Sequence, residues 1–305
     1  MQRIKINAFT LIELLVVIAI IGILSALIVV GMSSTTQKAT IAKAQVFSHS
    51  MDNSLLLNRI SQWKIDEASG TAANDFWSIS NGVLVNFTDT TAGYGDSHNF
   101  GWMSGPYCVS GSCLKYDGVG NLYINCGDVS RIETATALTL SAWIKIGTLG
   151  TQKTIFNKGY LYSTNNGIDL RVNASNQPYI FIGNGTKIAS AVSNDTVNTT
   201  LFSMVAMVWD GATVRMYVNG VLQPSTDTLI GPLTFEASKN VRIGLGGYLY
   251  TGLIDDVRVY DAAIPTSQIK QNYLTGLNRL LVNNQINNQE YSKRLAKLSN
   301  NYAKQ

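Results

Sequence analysis

The chain has 305 residues, of which 46% are hydrophobic and 14% charged, and it contains 26 glycines. This composition excludes a disordered chain and predicts one large or two ordinary folded domains. The net charge of +4 is concentrated near the two ends and leaves the body slightly acidic, so we expect no nucleic acid among its partners.

An apolar run of 22 residues, from Phe9 to Val30, follows the basic residues Arg3 and Lys5. At about 1.5 Å per residue, a helix of this length spans the hydrocarbon core of a bilayer. The basic flank predicts that the N-terminus stays cytoplasmic. Glu13 is the one charged residue in the run, and a carboxylate there is costly unless it has a partner.

The stretch FTLIELLVVIAIIGILSAL closely resembles the N-terminus of type IV pilins and of the pseudopilins of type II secretion. The resemblance implies a leader peptide of residues 1–8, cut by prepilin peptidase between Ala8 and Phe9, and N-methylation of Phe9. It also implies that Glu13 pairs with the N-terminal ammonium of Phe9 in a neighbouring subunit during assembly. Ala8 departs from the family's glycine, so we expect slower processing.

A long pilin-type helix is predicted over residues 9–61, with its membrane-spanning part at 9–30. Gly31 and the following MSSTT form a soft point at the membrane exit, after which helical spacing resumes. A stripe of apolar residues in the second half is expected to lie on the globular domain. Its members are Ile41, Ala42, Val46, Leu55, Leu56 and Ile60.

From about residue 62 the hydrophobic period changes from helical to alternating. In LTLSAWIKI, the apolar residues from Leu138 to Ile146 share one face, and VRMYVNG repeats the pattern before the hairpin signal Asn219-Gly220. Asp210-Gly211 marks a second turn. Further short runs follow at intervals typical of an antiparallel sandwich, namely KTIFNKG, GIDLRVN, PYIFIGN, NVRIGLG and LIDDVRVYD. The body is therefore predicted to be mainly β.

Five phrases of the body resemble the laminin-G-like, concanavalin-A-like jelly roll over residues 62–265. They are WKIDEASGTAAND, CLKYDGVGNLYINCG, LTLSAWIK, MVWDGATVRMYVNGV and GGYLYTGLIDDVRVYDAAI. That fold hosts carbohydrate-binding lectins, adhesion modules and some β-glucanases, so the resemblance alone does not select a function.

The carboxylates of the chain do not form the pattern that a glucanase of this fold requires, in which alternating acids on one strand act as nucleophile and acid. The run E-x-D-x-E is absent, and the glutamates of the body and tail are scattered at Glu67, Glu133, Glu236 and Glu290. The two histidines are isolated as well. We therefore expect that the protein is not an enzyme.

Relatives of this fold often bind a structural Ca²⁺ where the first strand meets the last, which makes several acids candidate ligands. These are Asp66, Glu67, Asp255 and Asp256, with Asp117 as a weaker candidate. The same acids are equally suited to capping turns or pairing with Arg258 or Lys64. No cofactor is required by this interpretation, and structural Ca²⁺ stays open.

Cysteines and aromatic residues supply the remaining candidates in the body. If the body is exported, a small-loop disulfide between Cys108 and Cys113 is an option, with Cys126 as a buried thiol. The glycine-rich GLGGYLYTG and several aromatic residues offer a glycan surface, although such residues more often belong to a core. The aromatic candidates are Trp77, Trp102, Tyr162, Tyr248 and Tyr250.

The tail, residues 266–305, is basic and returns to helical spacing. Two helices are predicted on either side of NNQINNQ. The apolar positions of the first are Ile269, Tyr273, Leu277, Leu280 and Leu281, and those of the second are Tyr291, Leu295 and Leu298. The pattern does not decide whether the helices dock on the sandwich, on a neighbouring subunit or on lipid.

These features together predict a pilin-like subunit of a type IV pilus or related filament, with a head for adhesion or for glycan or protein recognition. Its partners would be other pilin subunits, prepilin peptidase and the inner membrane before assembly, with the head displayed later at the cell surface. Two alternatives stay open. One is a type II secretion pseudopilin that recognises cargo, and the other is a membrane-anchored lectin that does not polymerise.

Overall fold

The structure is a computed structural model that describes residues 11–12, 14–23, 25, 56–77, 79–87, 92–93, 100–159, 165–236 and 239–300. The chain divides into two compact units, Met1–Phe47 and Ser48–Gln305. The described residues of the first unit are helical, and their side chains are exposed. Among all the residues that the structure describes, no helix combines the length and apolar character needed to cross a membrane.

The second unit consists of short strands followed by two helices. The strands are β1 (Arg59–Trp63), β2 (Ala72–Ala73), β3 (Gly82–Val85), β4 (Ala92–Gly93), β5 (Gly101–Ser104), β6 (Ser112–Asp117), β7 (Tyr123–Asn125), β8 (Leu138–Ile146), β9 (Lys153–Lys158), β10 (Asn166–Val172), β11 (Pro178–Asn184), β12 (Ile188–Val192), β13 (Ser203–Trp209), β14 (Thr213–Val218), β15 (Val221–Thr228), β16 (Arg242–Ile243) and β17 (Thr251–Tyr260). The helices are α1 (Thr266–Val282) and α2 (Asn288–Asn300), and short 3-10 turns lie at Leu56–Asn58, Gly105–Tyr107 and Ser130–Ile132.

The strands form two sheets whose pairing is antiparallel except between β4 and β5. Sheet A has the order β15-β14-β13-β8-β17-β6-β5-β4, with β1 also paired to β17. Sheet B has the order β12-β11-β10-β9-β16-β7-β3-β2. The predicted antiparallel sandwich is therefore confirmed.

Alternation along the strands places one face of each sheet in a common core. In β8 the predicted face is confirmed, because its residues Leu138, Leu140, Ala142, Ile144 and Ile146 are all buried in that core. The predicted hairpin turn is confirmed too, since Asn219 (φ 52°) and Gly220 (φ 77°) both adopt the left-handed conformation that a type I′ turn requires.

The outer face of sheet A is covered by α1 and α2, which form a second apolar cluster with it. Ile269, Tyr273, Leu277 and Leu280 of α1 are buried there beside Trp143 of β8. The two predicted helices are confirmed, and the sandwich is the surface on which they dock. Because Trp143 and its neighbours are covered, β8 is buried on both faces instead of one.

Helix α1 begins and ends with residues suited to those positions. Pro265 precedes it in extended conformation and accepts main-chain hydrogen bonds from Gln268 and Ile269. Beyond its end, Asn284 adopts a left-handed conformation (φ 57°), a common way to terminate a helix. Arg294 of α2 donates a hydrogen bond to the Phe202 carbonyl at 2.9 Å, which ties the second helix to sheet A.

The start of the sandwich differs from the sequence prediction, which extended the N-terminal helix to residue 61. A 3-10 turn covers Leu56–Asn58 and strand β1 begins at Arg59. Ile60 lies in the core between the sheets, and β1 pairs with β17. Pairing with β17, a central strand of sheet A, overrides the local helical spacing. The stripe residues Ile41, Ala42, Val46 and Leu55 lie outside the described residues.

The contact between α1 and β8 generates a stability prediction at Gly276. A Cβ at this position would overlap the indole of Trp143, whose ring stacks on Tyr273 at 5.7 Å between centroids. Gly276→Ala gains about 1 kcal/mol of helix propensity, but overpacking costs about 1 to 3 kcal/mol. We therefore expect the free energy of unfolding of the full-length chain in detergent to fall by about 1 kcal/mol in urea titrations.

The matched control is Ser267→Ala, an exposed position in the first turn of the same helix. It should change the free energy of unfolding by less than about 0.5 kcal/mol. A Gly276→Ala chain that is more stable than the parent would contradict the close approach of helix and sheet.

Candidate functional site

Strand β17 changes partners along one of its edges. Its first residues, Thr251–Ile254, pair with β6, and Val257–Tyr260 pair with β1, while β8 follows the opposite edge. The register shifts between Asp255 and Arg258, and Asp256 adopts a left-handed backbone conformation (φ 43°). Asp255 and Asp256 therefore lie in the gap between β6 and β1.

Asp255 is completely buried and holds the loop before β6. Its Oδ2 accepts hydrogen bonds from the main-chain N–H groups of Val109 (2.8 Å) and Ser110 (3.3 Å). A disulfide joins Cys108 of this loop to Cys113 of β6, the pair named from the sequence, and Cys126 is a buried thiol. Burial and the nearby carboxylates of Asp256 and Asp66 raise the pKa of Asp255 well above its ordinary value.

Asp256 is the charged partner of two side chains on adjacent strands. Arg258 binds it through two hydrogen bonds, Nε to Oδ1 (3.0 Å) and Nη2 to Oδ2 (2.7 Å), and Gln62 donates from Nε2 to Oδ1 at 2.7 Å. Burial alone would raise the pKa of Asp256, but Arg258 and Gln62 outweigh burial and lower it. Asp256 is therefore held as a carboxylate.

A pocket of about 530 Å³ opens beside this gap. This volume lies within the range of small-molecule sites, about 300 to 1,000 Å³. The pocket is lined by four basic, two acidic, two aromatic and two neutral polar residues: Arg59, Lys64, Arg258 and Arg279; Asp66 and Asp256; Phe76 and Trp77; and Gln62 and Ser110. We name it the basic pocket.

The basic residues of the pocket differ in what they contact. Arg258 is neutralised by Asp256. Lys64 places its ammonium 3.0 Å from the ring centroid of Phe76, and Arg59 places its guanidinium 5.2 Å from that of Trp77. The side chain of Arg279 on α1 is exposed, and its guanidinium makes no hydrogen bond or ion pair with any residue that the structure describes. Its guanidinium is available to a ligand.

Asp66 at the pocket has one engaged carboxylate oxygen. Its Oδ1 accepts a hydrogen bond from the Ser112 N–H at 3.1 Å, whereas Oδ2 receives none from the described residues. Burial raises the pKa of Asp66, and Asp256 adds to that effect. Four basic residues around Asp66 and Asp256 disfavour a bound cation at this position.

The other calcium candidates serve turns. Glu67 Oε1 accepts a hydrogen bond from the Asn74 N–H (2.8 Å), and Asp117 Oδ1 accepts hydrogen bonds from Val119 (2.8 Å) and Gly120 (3.0 Å). Among the residues described, no group of three or more histidine, cysteine or acidic side chains is arranged to hold a metal ion. Calcium binding stays a prediction.

The aromatic candidates divide into buried and exposed residues. Trp102 and Tyr250 are buried in the core, the more common position for such residues, and their burial removes them from the glycan-surface alternative. Trp77 is half-buried and lines the basic pocket, and Tyr248 is 37% exposed. Tyr162 lies outside the described residues.

The glycine-rich stretch GLGGYLYTG, which follows β16, is explained by packing within the second unit, which we call the head. A Cβ at Gly244 would overlap the ring of Tyr116, and one at Gly247 would come within 2.7 Å of the guanidinium of Arg171. Close approach of these side chains is therefore sufficient reason for glycine here, without a ligand.

The outer face of sheet B carries a buried ion pair that sequence patterning did not reveal. Asp169 and Arg171 of β10 are in direct contact and almost completely buried. The guanidinium of Arg171 lies 5.0 Å from the ring centroid of Tyr248 and 5.9 Å from that of Phe181. Burial raises the pKa of Asp169 to about 6 even though Arg171 opposes the effect.

Asp75 was also missed, although it organises the loop that carries Phe76 and Trp77. Its Oδ1 accepts hydrogen bonds from the N–H groups of Gln62 (2.8 Å) and Trp77 (3.0 Å). Its Oδ2 accepts them from Ile79 (3.0 Å) and Ser80 (2.9 Å). The Asn74-Asp75 pair is a turn signal in the sequence, and it was the available clue.

Two family models match the chain. Residues 118–270, half of its length, match the concanavalin A-like lectin/glucanases superfamily. The chain belongs to this superfamily. Residues 3–29 match the prokaryotic N-terminal methylation motif, so both resemblances seen in the sequence are confirmed. Ala8, Phe9 and Glu13 fall within the second match and lie outside the described residues.

Several solved structures are similar in fold to the second unit. Domain 4 of AbnA, an extracellular arabinanase from Geobacillus stearothermophilus solved with arabinotriose, is 20% identical over 70% of this chain and 97% of that one, with a TM-score of 0.53. The binding domain of Paraclostridial Mosquitocidal Protein 1 is 13% identical over 73% and 53%, with a TM-score of 0.55. The binding domain of botulinum neurotoxin serotype D is 14% identical over 72% and 52%, with a TM-score of 0.50. Among curated proteins, none matches the sequence.

The burial of Asp255 generates a prediction on how stability depends on pH. A pKa raised in the folded state means that the contribution of Asp255 to stability is greatest at low pH and is lost as the pH rises through the folded-state pKa. Asparagine keeps the acceptor for Val109 and Ser110 and does not titrate. Relative to the parent chain, Asp255→Asn should therefore become progressively more stable as the pH rises from about 4 to 8.

Unfolding of the full-length chain in detergent, followed by urea titration at several pH values, measures this difference. Asp117→Asn changes a half-exposed turn acid outside the gap and is the control. A constant difference between Asp255→Asn and the parent chain across the pH range would contradict the role assigned to burial.

Proposed function

We propose that this protein is a non-enzymatic, pilin-like subunit of a type IV pilus or related filament that displays a glycan- or protein-recognising head. The observation that carries the proposal is the combination, in one chain, of a methylation motif at residues 3–29 and a lectin-type superfamily domain. Processing would occur between Ala8 and Phe9, with N-methylation of Phe9. The subunit would reside in the inner membrane before assembly and at the cell surface afterwards.

Glu13 has a physical role in this proposal. A carboxylate in an apolar membrane segment is costly alone, and a matched buried ion pair is far less so. Cleavage before Phe9 creates a new ammonium group. Pairing that ammonium with Glu13 of a neighbouring subunit compensates both charges and sets the stagger between helices.

The head supports a recognition role through its fold and its surface. The arabinanase domain of similar fold was solved with arabinotriose, and the toxin domains of similar fold are described as binding domains. The basic pocket offers this chain a concave site with charged and aromatic walls. The disulfide of the head also fits an oxidising compartment outside the cytoplasm.

Replacing Glu13 tests the assembly role. We expect Glu13→Ala to be cleaved normally and to be lost from filaments, because the buried ammonium of Phe9 would have no counter-charge. Immunoblotting of sheared surface filaments against the membrane fraction measures incorporation. Thr10→Ala, a neutral change in the same segment, is the control and should assemble. Incorporation of Glu13→Ala at the level of the parent would contradict the assembly role of Glu13, and absence of the parent chain itself from sheared filaments would favour a membrane-anchored lectin that does not polymerise.

The leader cut is tested by mass spectrometry of the mature chain. The expected N-terminus is N-methylated Phe9, and Ala8→Gly should be processed at least as fast as the parent because it restores the family's residue. A mature chain that retains residues 1–8, or begins elsewhere, would remove the pilin-type processing from the proposal.

A further inference from the structure

The residues that line the basic pocket are suited to bind an anion that also carries hydroxyl groups. Arg279 and Lys64 contribute positive charge, and Asp66 contributes an acceptor oxygen that no described residue engages. Arginine guanidinium groups bind carboxylates through two parallel hydrogen bonds, which gives both affinity and orientation. A sugar hydroxyl is the matching donor for Asp66.

The pocket also offers an apolar surface beside these charges. Phe76 is 59% exposed, an unusual position for a large aromatic ring in a charged pocket. Lys64 covers it at 3.0 Å from the ring centroid and thus places a cation beside the apolar surface. A saccharide acid has the complementary combination, a carboxylate on a ring whose C–H face is apolar.

The walls are built on elements that resist movement. Arg258 and Gln62 hold Asp256 from β17 and β1, and Asp75 fixes the turn that carries Phe76. Asp255 fixes the position of Ser110. A preformed site of this kind loses less free energy on ordering when a ligand binds.

We propose that the basic pocket binds a carboxylate-bearing saccharide, with Arg279 and Lys64 on the carboxylate, Asp66 on a hydroxyl and Phe76 against the ring. This inference rests on the proposed recognition role of the head and names its ligand class. An acidic peptide also offers carboxylates and N–H donors, but its carboxylates stand on flexible side chains and not on a ring with an apolar face. A phosphate dianion has no apolar ring face to lie against Phe76.

The experiment is calorimetric titration of the full-length chain in detergent with oligomers of galacturonate, glucuronate and N-acetylneuraminate. Each acid is compared with its methyl ester, which keeps the ring and removes the charge. We expect at least one acid to bind, its ester to bind about tenfold more weakly or worse, and affinity to fall at high salt.

Variants locate the site. Arg279→Gln and Lys64→Gln should each weaken binding of the acid about tenfold, and Phe76→Ala should weaken binding of acid and ester alike. Arg215→Gln is the matched control, because it removes the same charge from a hairpin outside the pocket, and it should leave affinity within about twofold. Thermal unfolding of each variant verifies that it is folded.

The outcomes separate this inference from the proposed function. Binding of neutral oligosaccharides that Arg279→Gln and Lys64→Gln leave unchanged would keep glycan recognition and overturn the assignment to this pocket. Equal binding of inorganic phosphate or a polyglutamate peptide would overturn the saccharide class. Absence of binding by every acid would overturn the inference, while filament incorporation through Glu13 would be unaffected.

Discussion

The exchange of partners along β17 is the constraint on which the head depends. One continuous strand is bound by β8 on one edge and by β6 and then β1 on the other. The change requires a break in register, and Asp256 accepts a left-handed backbone conformation that costs about 1 to 3 kcal/mol. The hydrogen bonds of Asp255 and Asp256 compensate by anchoring the loop before β6 and the end of β1. The basic pocket opens where the two strands fail to meet.

Carboxylates in this head act mainly as organisers of main chain. Asp75, Asp255 and Asp117 each accept hydrogen bonds from two or more main-chain N–H groups. Such contacts satisfy donors that strands and helices leave unpaired, so each acid stabilises a turn that regular secondary structure cannot. Asp255 and Asp117, which the sequence offered as calcium ligands, thus have a structural role that requires no ion.

The sequence allowed the fold to be predicted wherever a local period determines which face is buried. The alternation in β8, the Asn219-Gly220 turn and the apolar stripe of α1 are of this kind. Strand β1 was not predicted, because four of its five residues are buried and period-two alternation is therefore absent.

The basic pocket was harder to predict than the sheets. Arg279 of α1, Asp66 after β1 and Asp256 of β17 come from distant parts of the chain, and they meet only after the sandwich has formed. Whether an acid caps a turn or faces a ligand depends on which N–H groups lie within reach. The hydrophobic pattern of the sequence does not reveal these tertiary contacts. It did not reveal the burial of Trp102 and Tyr250 either.

The two C-terminal helices cover the outer face of sheet A, so the two outer faces of the sandwich differ. The helices α1 and α2 of the same chain cover this face and form a buried apolar cluster with it. The part of sheet A between β6 and β1 stays open beside α1, and the basic pocket lies there. Both helices contribute buried residues to this cluster, Tyr291 and Leu298 from α2 among them, so a truncation that removes α2 would expose part of the cluster to solvent.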